Sequence, residues 1–307
     1  MKLNKLRRRQ GGIIDRRGES PVGGGMAMPR GMGIPMPGGR GGIGIGTIIL
    51  IIVLVVVVPR CLGSSSGGNV IPDQGALNGY PDATGQGGSQ VDPTDPTGAF
   101  VDAVGDDVQL TWEDVFKGAN RQYQPTSIVL FHGSTKSGCG IANADTGPFY
   151  CPADQDVYLD AGFFQELETR FHAAGDFAEA YVIAHEIGHH VQDELGIMGQ
   201  VDQAMQADPS QANELSIRLE LQADCLAGVW GHSANQRGVL EVGDLQEAIT
   251  AAQAVGDDRI QSETTGRIDR ESWTHGSSDQ RSRWLQRGFD AGNMQACDTF
   301  SVPFDQL

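Results

Sequence analysis

His185 and His189 stand four residues apart with Glu186 between them, in the segment HEIGHH, and this short pattern limits the chain more than any other part of it. Residues four apart share one face of a helix, so the two imidazoles can converge on a single ion only if the segment is helical. The flanks predict that helix. Asp176 suits the N-cap, with Glu179 three residues on as its capping-box partner. Apolar residues recur through Tyr181, Ile183, Ala184, Ile187 and Val191 to Leu195, and Gly196 supplies a stop. Zinc suits two imidazoles because it takes nitrogen donors without a strict geometric demand. Glu186 adjoins the first histidine, where it reaches a water at the ion without binding the ion. The bland alternative is two surface histidines. It fits poorly, because the helix is apolar around them, and burying these three groups without partners is costly.

A hydrolytic zinc site takes a third protein ligand. Glu220-Leu221-Gln222-Ala223-Asp224 offers two carboxylates four apart on a second predicted helix. That helix opens at Asp208 with Pro209 in its first turn and Gln211 as box partner, and continues through Leu215, Leu219, Leu226 and Trp230. One carboxylate can bind the ion while the other orients a ligand imidazole from behind. Spacing leaves open which does which. An ordinary acidic face is the alternative, but Leu219, Leu221 and Leu226 bracket the pair.

The rest of the domain begins near residue 97. Two short helical stretches are expected between Thr97 and Gly118, with Thr111 and Asp114 resembling a capping box. Residues 127–132 (SIVLFH) read as a strand, which is either plain core or an edge to which a substrate peptide pairs. Residues 157–159 read as a weaker strand. Further helices are expected at 162–172, 244–255 and 279–292. The domain is therefore expected to be α+β and helix-dominated, with a small sheet.

Outside the domain the chain changes character. The run at 43–58 is interrupted only by Gly44, Gly46 and Thr47 and carries no charge. With Gly41 and Gly42 it reaches the ~17-residue lower limit for a membrane span. The first 42 residues hold nine basic and two acidic residues, net +7, against net −24 for the remainder. Basic flanks stay on the cytoplasmic side. The expectation is a single-pass signal-anchor at 43–58, a disordered basic cytoplasmic tail at 1–42, a flexible linker at 59–96 and an extracytoplasmic domain at 97–307. The net charge of −17 argues against a nucleic-acid partner.

Cys139, Cys151, Cys225 and Cys297 fall in the domain expected outside the cytoplasm, where disulfides persist. Three connectivities are possible. Cys139 with Cys151 closes the short loop, leaving Cys225 with Cys297. Among the other histidines, His190 is expected to be exposed or behind a ligand, and His132, His172 and His232 to be structural.

The chain resembles the bacterial neutral zinc metallopeptidase family. The matching pieces are DRRG at 15–18, LFHGSTKSGCG at 130–140, GPFYCPADQDVYLD at 147–160, HEIGHHVQ at 185–192, ELQADCLAGVW at 220–230, THGSSDQR at 274–281 and CDTF at 297–300. HExxH with a downstream ExxxD looks like the gluzincin arrangement. The resemblance implies a zincin-like domain and a membrane-anchored zinc metalloendopeptidase acting on a peptide or protein substrate. It makes Glu220 the third zinc ligand and Asp224 the partner behind one histidine, with Glu186 as general base. His275, in THGSSDQR, resembles the downstream histidine of membrane zinc peptidases and becomes a candidate for stabilising the oxyanion, with a helix-capping role as the alternative. Arg281 is expected to pair with a carboxylate. Two other readings stand beside this one: a catalytically silent zinc-binding or chaperone-like membrane partner, and a zinc hydrolase acting on other bonds. The intact His185, Glu186, His189 and Glu220 set argues against the silent protein.

Overall fold

A computed structural model describes residues 1–9, 12–19, 92, 94–143 and 146–307. The expected span at 43–58 lies outside them, and among the described residues no helix is long and apolar enough to cross a membrane.

The domain opens with α1 (Pro96–Gly118), one continuous helix rather than two short stretches. Asp95 caps it by accepting from the Gly98 amide, and Pro96 begins it. Thr111 caps nothing. Its hydroxyl donates to the Asp107 carbonyl one turn back, inside the helix. Then come β2 (Ile128–Phe131), a hairpin of β3 (Ser134–Ser137) and β4 (Gly140–Asn143), β5 (Phe149–Cys151) and β6 (Asp156–Asp160). The helices that follow are α2 (Phe163–Thr169), α3 (Asp176–Glu194), α4 (Ile197–Ala207), α5 (Ala212–Gln236), α6 (Asp244–Ala254), α7 (Asp257–Thr265) and α8 (Ser278–Ala291). The helix-dominated α+β expectation holds. Sequence periodicity overlooked α4, α7, the β3–β4 hairpin and β5, all short or polar.

The tail corrects the expectation most. Residues 13–15 form β1, whose Ile13, Ile14 and Asp15 pair in parallel with Ile128, Val129 and Leu130. The sheet order is β1-β2-β6-β5, with β2 parallel to β6 and β5 antiparallel to it. The strand at 128–131 is thus interior, and β1 and β5 form the edges. Residues 1–9 continue along the domain. Met1 and Leu6 are buried, and the Met1 amine lies 2.6 Å from Asp176. An expected disordered tail over 1–42 does not describe these residues. They carry few apolar side chains, so no sequence period betrays them, but Met1 and Leu6 find the core while Leu3 stays exposed.

Two close approaches fix the helices. A Cβ at Gly188 of α3 would lie 3.2 Å from the Ala223 carbonyl of α5. The glycine thus lets the HEIGHH turn press against the turn carrying Glu220 and Asp224. α5 also meets α8 backbone to backbone. A Cβ on Gly288 would come within 1.9 Å of the Cys225 oxygen, and one on Gly228 within 2.1 Å of the Leu285 oxygen. Trp112, Phe177, Ile183, Ile187, Leu221 and Trp230 pack in the core between α1, α3 and α5. The S–S bond of Cys139–Cys151 ties the hairpin to β5, and that of Cys225–Cys297 ties α5 to the C-terminal segment.

Candidate metal centre

α3 carries His185, Glu186 and His189, and α5 carries Glu220 and Asp224. The αL residue Gly196 ends the run after α3, as its position predicts. The other end differs from expectation. Gly175 occupies the cap without a side-chain bond, Asp176 holds the Met1 amine, and Glu179 is half-buried rather than closing a capping box. Asp208 does cap, but it caps a short 3₁₀ turn at 209–211 that leads into α5.

His185, His189 and Glu220 offer one ligand atom each, all within 4.8 Å of one another. The orientation of each ring matters more than the distance. His185 Nε2 faces Glu220 Oε2 at 3.3 Å while its Nδ1 lies 2.8 Å from Asp224 Oδ1. His189 Nε2 faces Glu220 Oε1 at 3.6 Å while its Nδ1 lies 2.8 Å from Gln192 Oε1. Each imidazole is held from behind through Nδ1 and turns Nε2 toward one shared carboxylate. Fixing the back nitrogen sets the tautomer and the ring plane of a metal ligand. Two nitrogens and one oxygen so arranged fit zinc.

Electrostatics agree with the geometry. Burial pushes the His185 imidazole down, but the Asp224 and Glu220 carboxylates outweigh it and raise it to about 10. Burial pushes Asp224 up, yet Arg281 and His185 bring it to about 2. Glu220 is held well below the carboxylate range against its own burial, by His275, His189 and His185. The cluster thus gathers negative charge around its imidazoles, as a candidate cation site would. Burial pushes the Glu186 carboxyl up, and a carboxyl so shifted accepts a proton more readily.

The supporting residues come from three directions. Tyr181, one turn before His185, donates to Asp224 Oδ1 at 2.6 Å. Arg281 of α8 donates to both oxygens of Asp224, at 2.8 and 2.9 Å, and stands 3.8 Å from Glu220. Asp224 thus has three partners and is satisfied although fully buried. Gln192 donates to the Leu219 carbonyl at 2.8 Å and to Gln222 Oε1 at 3.0 Å, and Gln222 donates to the Cys297 carbonyl at 3.0 Å. A continuous line of bonds therefore runs from His189 to the bridged C-terminal segment. Tyr181 and Gln192 escaped the sequence reading. Their only signal was helical spacing, one turn before His185 and three residues after His189.

His275 sits on the loop before α8. The amides of Thr274, His275 and Gly276 converge on Asp257 Oδ2 at 2.8, 2.7 and 3.1 Å, and His275 Nδ1 lies 3.3 Å from Asp257 Oδ1. Gly276 has a φ of +90°, and a Cβ there would touch Ile217 and Leu221, so the loop lies on the α5 face that bears Glu220. His275 does not cap the helix; Ser277 and Gln280 do, through a complete capping box. His190 is buried, its Nε2 donating to the Gln124 carbonyl at 2.7 Å, far in role from the ion. His232 donates to the Phe289 carbonyl at 2.6 Å, His132 is exposed beside Asp160 at 3.7 Å, and His172 is an exposed residue at φ +52°. Asp176, Asp244 and Glu247 also converge, but Asp176 and Asp244 hold the Met1 amine and Glu247 accepts from the Phe177 amide.

Against known families, residues 1–300 match the model described as "Putative neutral zinc metallopeptidase". The chain belongs to this family of zinc metallopeptidases. It is 47% identical over 228 residues to the uncharacterized protein YpfJ of Escherichia coli (strain K12), covering 74% of this chain and 79% of that one. It is 46% identical over 213 residues to the uncharacterized protein Rv2575 of Mycobacterium tuberculosis (strain H37Rv), covering 66% of this chain and 70% of that one. No solved structure matches it.

Proposed function

We propose that this chain is a zinc-dependent endopeptidase whose metal is held by His185, His189 and Glu220. The observation that carries the reading is the pair of Nε2 atoms facing one carboxylate while both Nδ1 atoms are held from behind. Zinc, when bound, supplies a Lewis acid that polarises a peptide carbonyl and acidifies water. Glu186, next along the helix and buried with its carboxyl pushed up, takes a proton from the attacking water and returns it to the leaving amine. His275 is raised by Glu220 and Asp257 against its own burial, so its imidazolium is available to an oxyanion as a donor. Asp224, Tyr181 and Arg281 keep the His185 ring in place. The two disulfides favour an oxidising, extracytoplasmic setting, and the apolar run at 43–58 favours attachment to the membrane there.

The test is zinc stoichiometry on the full chain together with hydrolysis of an unstructured protein. One zinc per chain is expected, weakened in Glu220→Ala. Glu186→Gln should keep the zinc and lose about 10²–10⁴-fold in hydrolysis. Zinc bound with no hydrolysis by the parent chain would remove the peptidase reading, and no zinc would remove the site.

A further inference from the structure

The DRRG stretch at 15–18 and the basic residues around it have no role in the metal centre, yet the domain uses them throughout. β1 covers the outer edge of β2, with Ile128 N–H donating to Gly12 O and Arg16 N–H donating to Leu130 O, each at 2.8 Å. Arg7 reaches the buried Asp107 through its amide at 2.9 Å, and its guanidinium donates to Thr111 at 2.7 Å and Asp114 at 2.6 Å. Arg8 pairs with Asp102, and the Arg9 amide donates to the buried Asp106 at 2.7 Å. Arg17 bridges Asp15, at 2.6 Å, to Asp95, the cap of α1. The charge difference between tail and domain is thus complementarity across a contact. It need not record two surroundings.

From this we infer that residues 1–9 and 12–19 are part of the folded domain and lie on its side of any membrane. A single crossing between residue 19 and residue 94 would pull β1 off β2. It would take the Arg9 amide and the Arg8 guanidinium from Asp106, and Arg7 from Asp107, which would keep only Arg237 and Trp230; losing such partners is costly for a carboxylate. Arg7 and Arg8, two of the basic residues behind the expected orientation, are also spent on carboxylates of α1, so they make a weak positive-inside signal. The inference rests on the docked arm and stands whether or not the domain hydrolyses peptides.

Two measurements on the full chain decide it. In a Cys61→Ser background, single cysteines are placed at exposed positions of the arm (Asn4→Cys) and of the domain (Val242→Cys). Cells with a permeabilised outer envelope are treated with a membrane-impermeant maleimide before and after lysis. Both cysteines should react alike before lysis, both accessible or both shielded. One labelled and the other shielded until lysis would overturn the inference. Hydrogen exchange on the purified chain then reads docking directly. Amides of Arg16 and Ile128 should exchange at least 10²-fold more slowly than in unstructured peptide, and coil-like rates at both would overturn the inference even where the labelling agrees.

Discussion

Asp107 and Asp224 are both completely buried, and both hold guanidinium groups, but they serve different ends. Asp107 of α1 accepts from Arg237 at 2.5 and 2.7 Å, from the Trp230 indole at 2.9 Å and from the arm at Arg7. Every partner is a fixed donor, so the carboxylate does nothing but clamp three stretches of chain together. Asp224 of α5 has the same fully donated environment, from Arg281 and Tyr181, except that one more neighbour is an imidazole. That one exchange turns a clamp into a support for a candidate metal ligand, because His185 has a second nitrogen facing the other way. Burial raises both carboxylates and their arginines bring both back down. The presence of a buried, perturbed aspartate therefore says little about chemistry until its partners are identified.

The comparison can be broken in several places. The largest effect is expected from replacing Cys225 and Cys297 together with serine. Their bridge spans 72 residues and directly follows Asp224, so its loss should cost on the order of 4 kcal/mol in chemical denaturation. Zinc affinity should fall too, since Gln222 leans on the Cys297 carbonyl. Unchanged stability would show that the Asp224 side holds itself without the bridge. Next, Asp107→Asn should cost about 3 kcal/mol by leaving two guanidinium groups underpaired, while zinc competition reads an unchanged affinity. Asp224→Asn should do the reverse, lowering zinc affinity about 10–100-fold. If the two variants affect zinc equally, the distinction between clamp and support fails. The smallest effect concerns Glu179, near the arm's end of α3. Its burial, with Asp176 and Glu168 nearby, raises it to about 7. A carboxyl raised on folding favours the folded state below its unfolded value of 4.5 and loses that contribution as pH climbs through 7. Glu179→Gln should therefore raise thermal stability at pH 8, by on the order of 1 kcal/mol after solvent screening, and leave it unchanged at pH 4. A gain of equal size at both pH values would show that the titration is not responsible.

The sequence disclosed the convergence of His185, His189 and Glu220 more fully than the fold. The i,i+4 rule placed His185 and His189 on one face, and the same rule placed Glu220 with Asp224. Arg281 was expected to pair with a carboxylate and does so at Asp224, whereas Gln192 and Tyr181 were hidden because polar residues that bond only across helices leave no period in the chain. α6 and the capped α8 were legible in the sequence, whereas α4 was lost between two stronger signals. The arm was misread for a physical reason. Its basic and glycine-rich composition is what a solvated tail would have, and its order comes from carboxylates about 100 residues away. A capping signature misled too. Asp176 and Glu179 have the right spacing, but the first carboxylate is engaged by the Met1 amine.

The glycine contact between α5 and α8 has a mechanical consequence. Gly228 lies eight residues after Glu220, and Gly288 seven after Arg281, so the touching backbones sit about two turns from the ion in each helix. With no side chains between them there is nothing to compress, and neither helix can slide or roll without a main-chain collision. Glu220, Asp224 and Arg281 are thereby mounted on one stiff bracket. Any adjustment beside the candidate site falls instead to the loop bearing His275, which is held by Asp257 of α7 and rests through Gly276 on Ile217 and Leu221. Selection on working temperature or substrate size would find its freedom in that loop and little in the crossing.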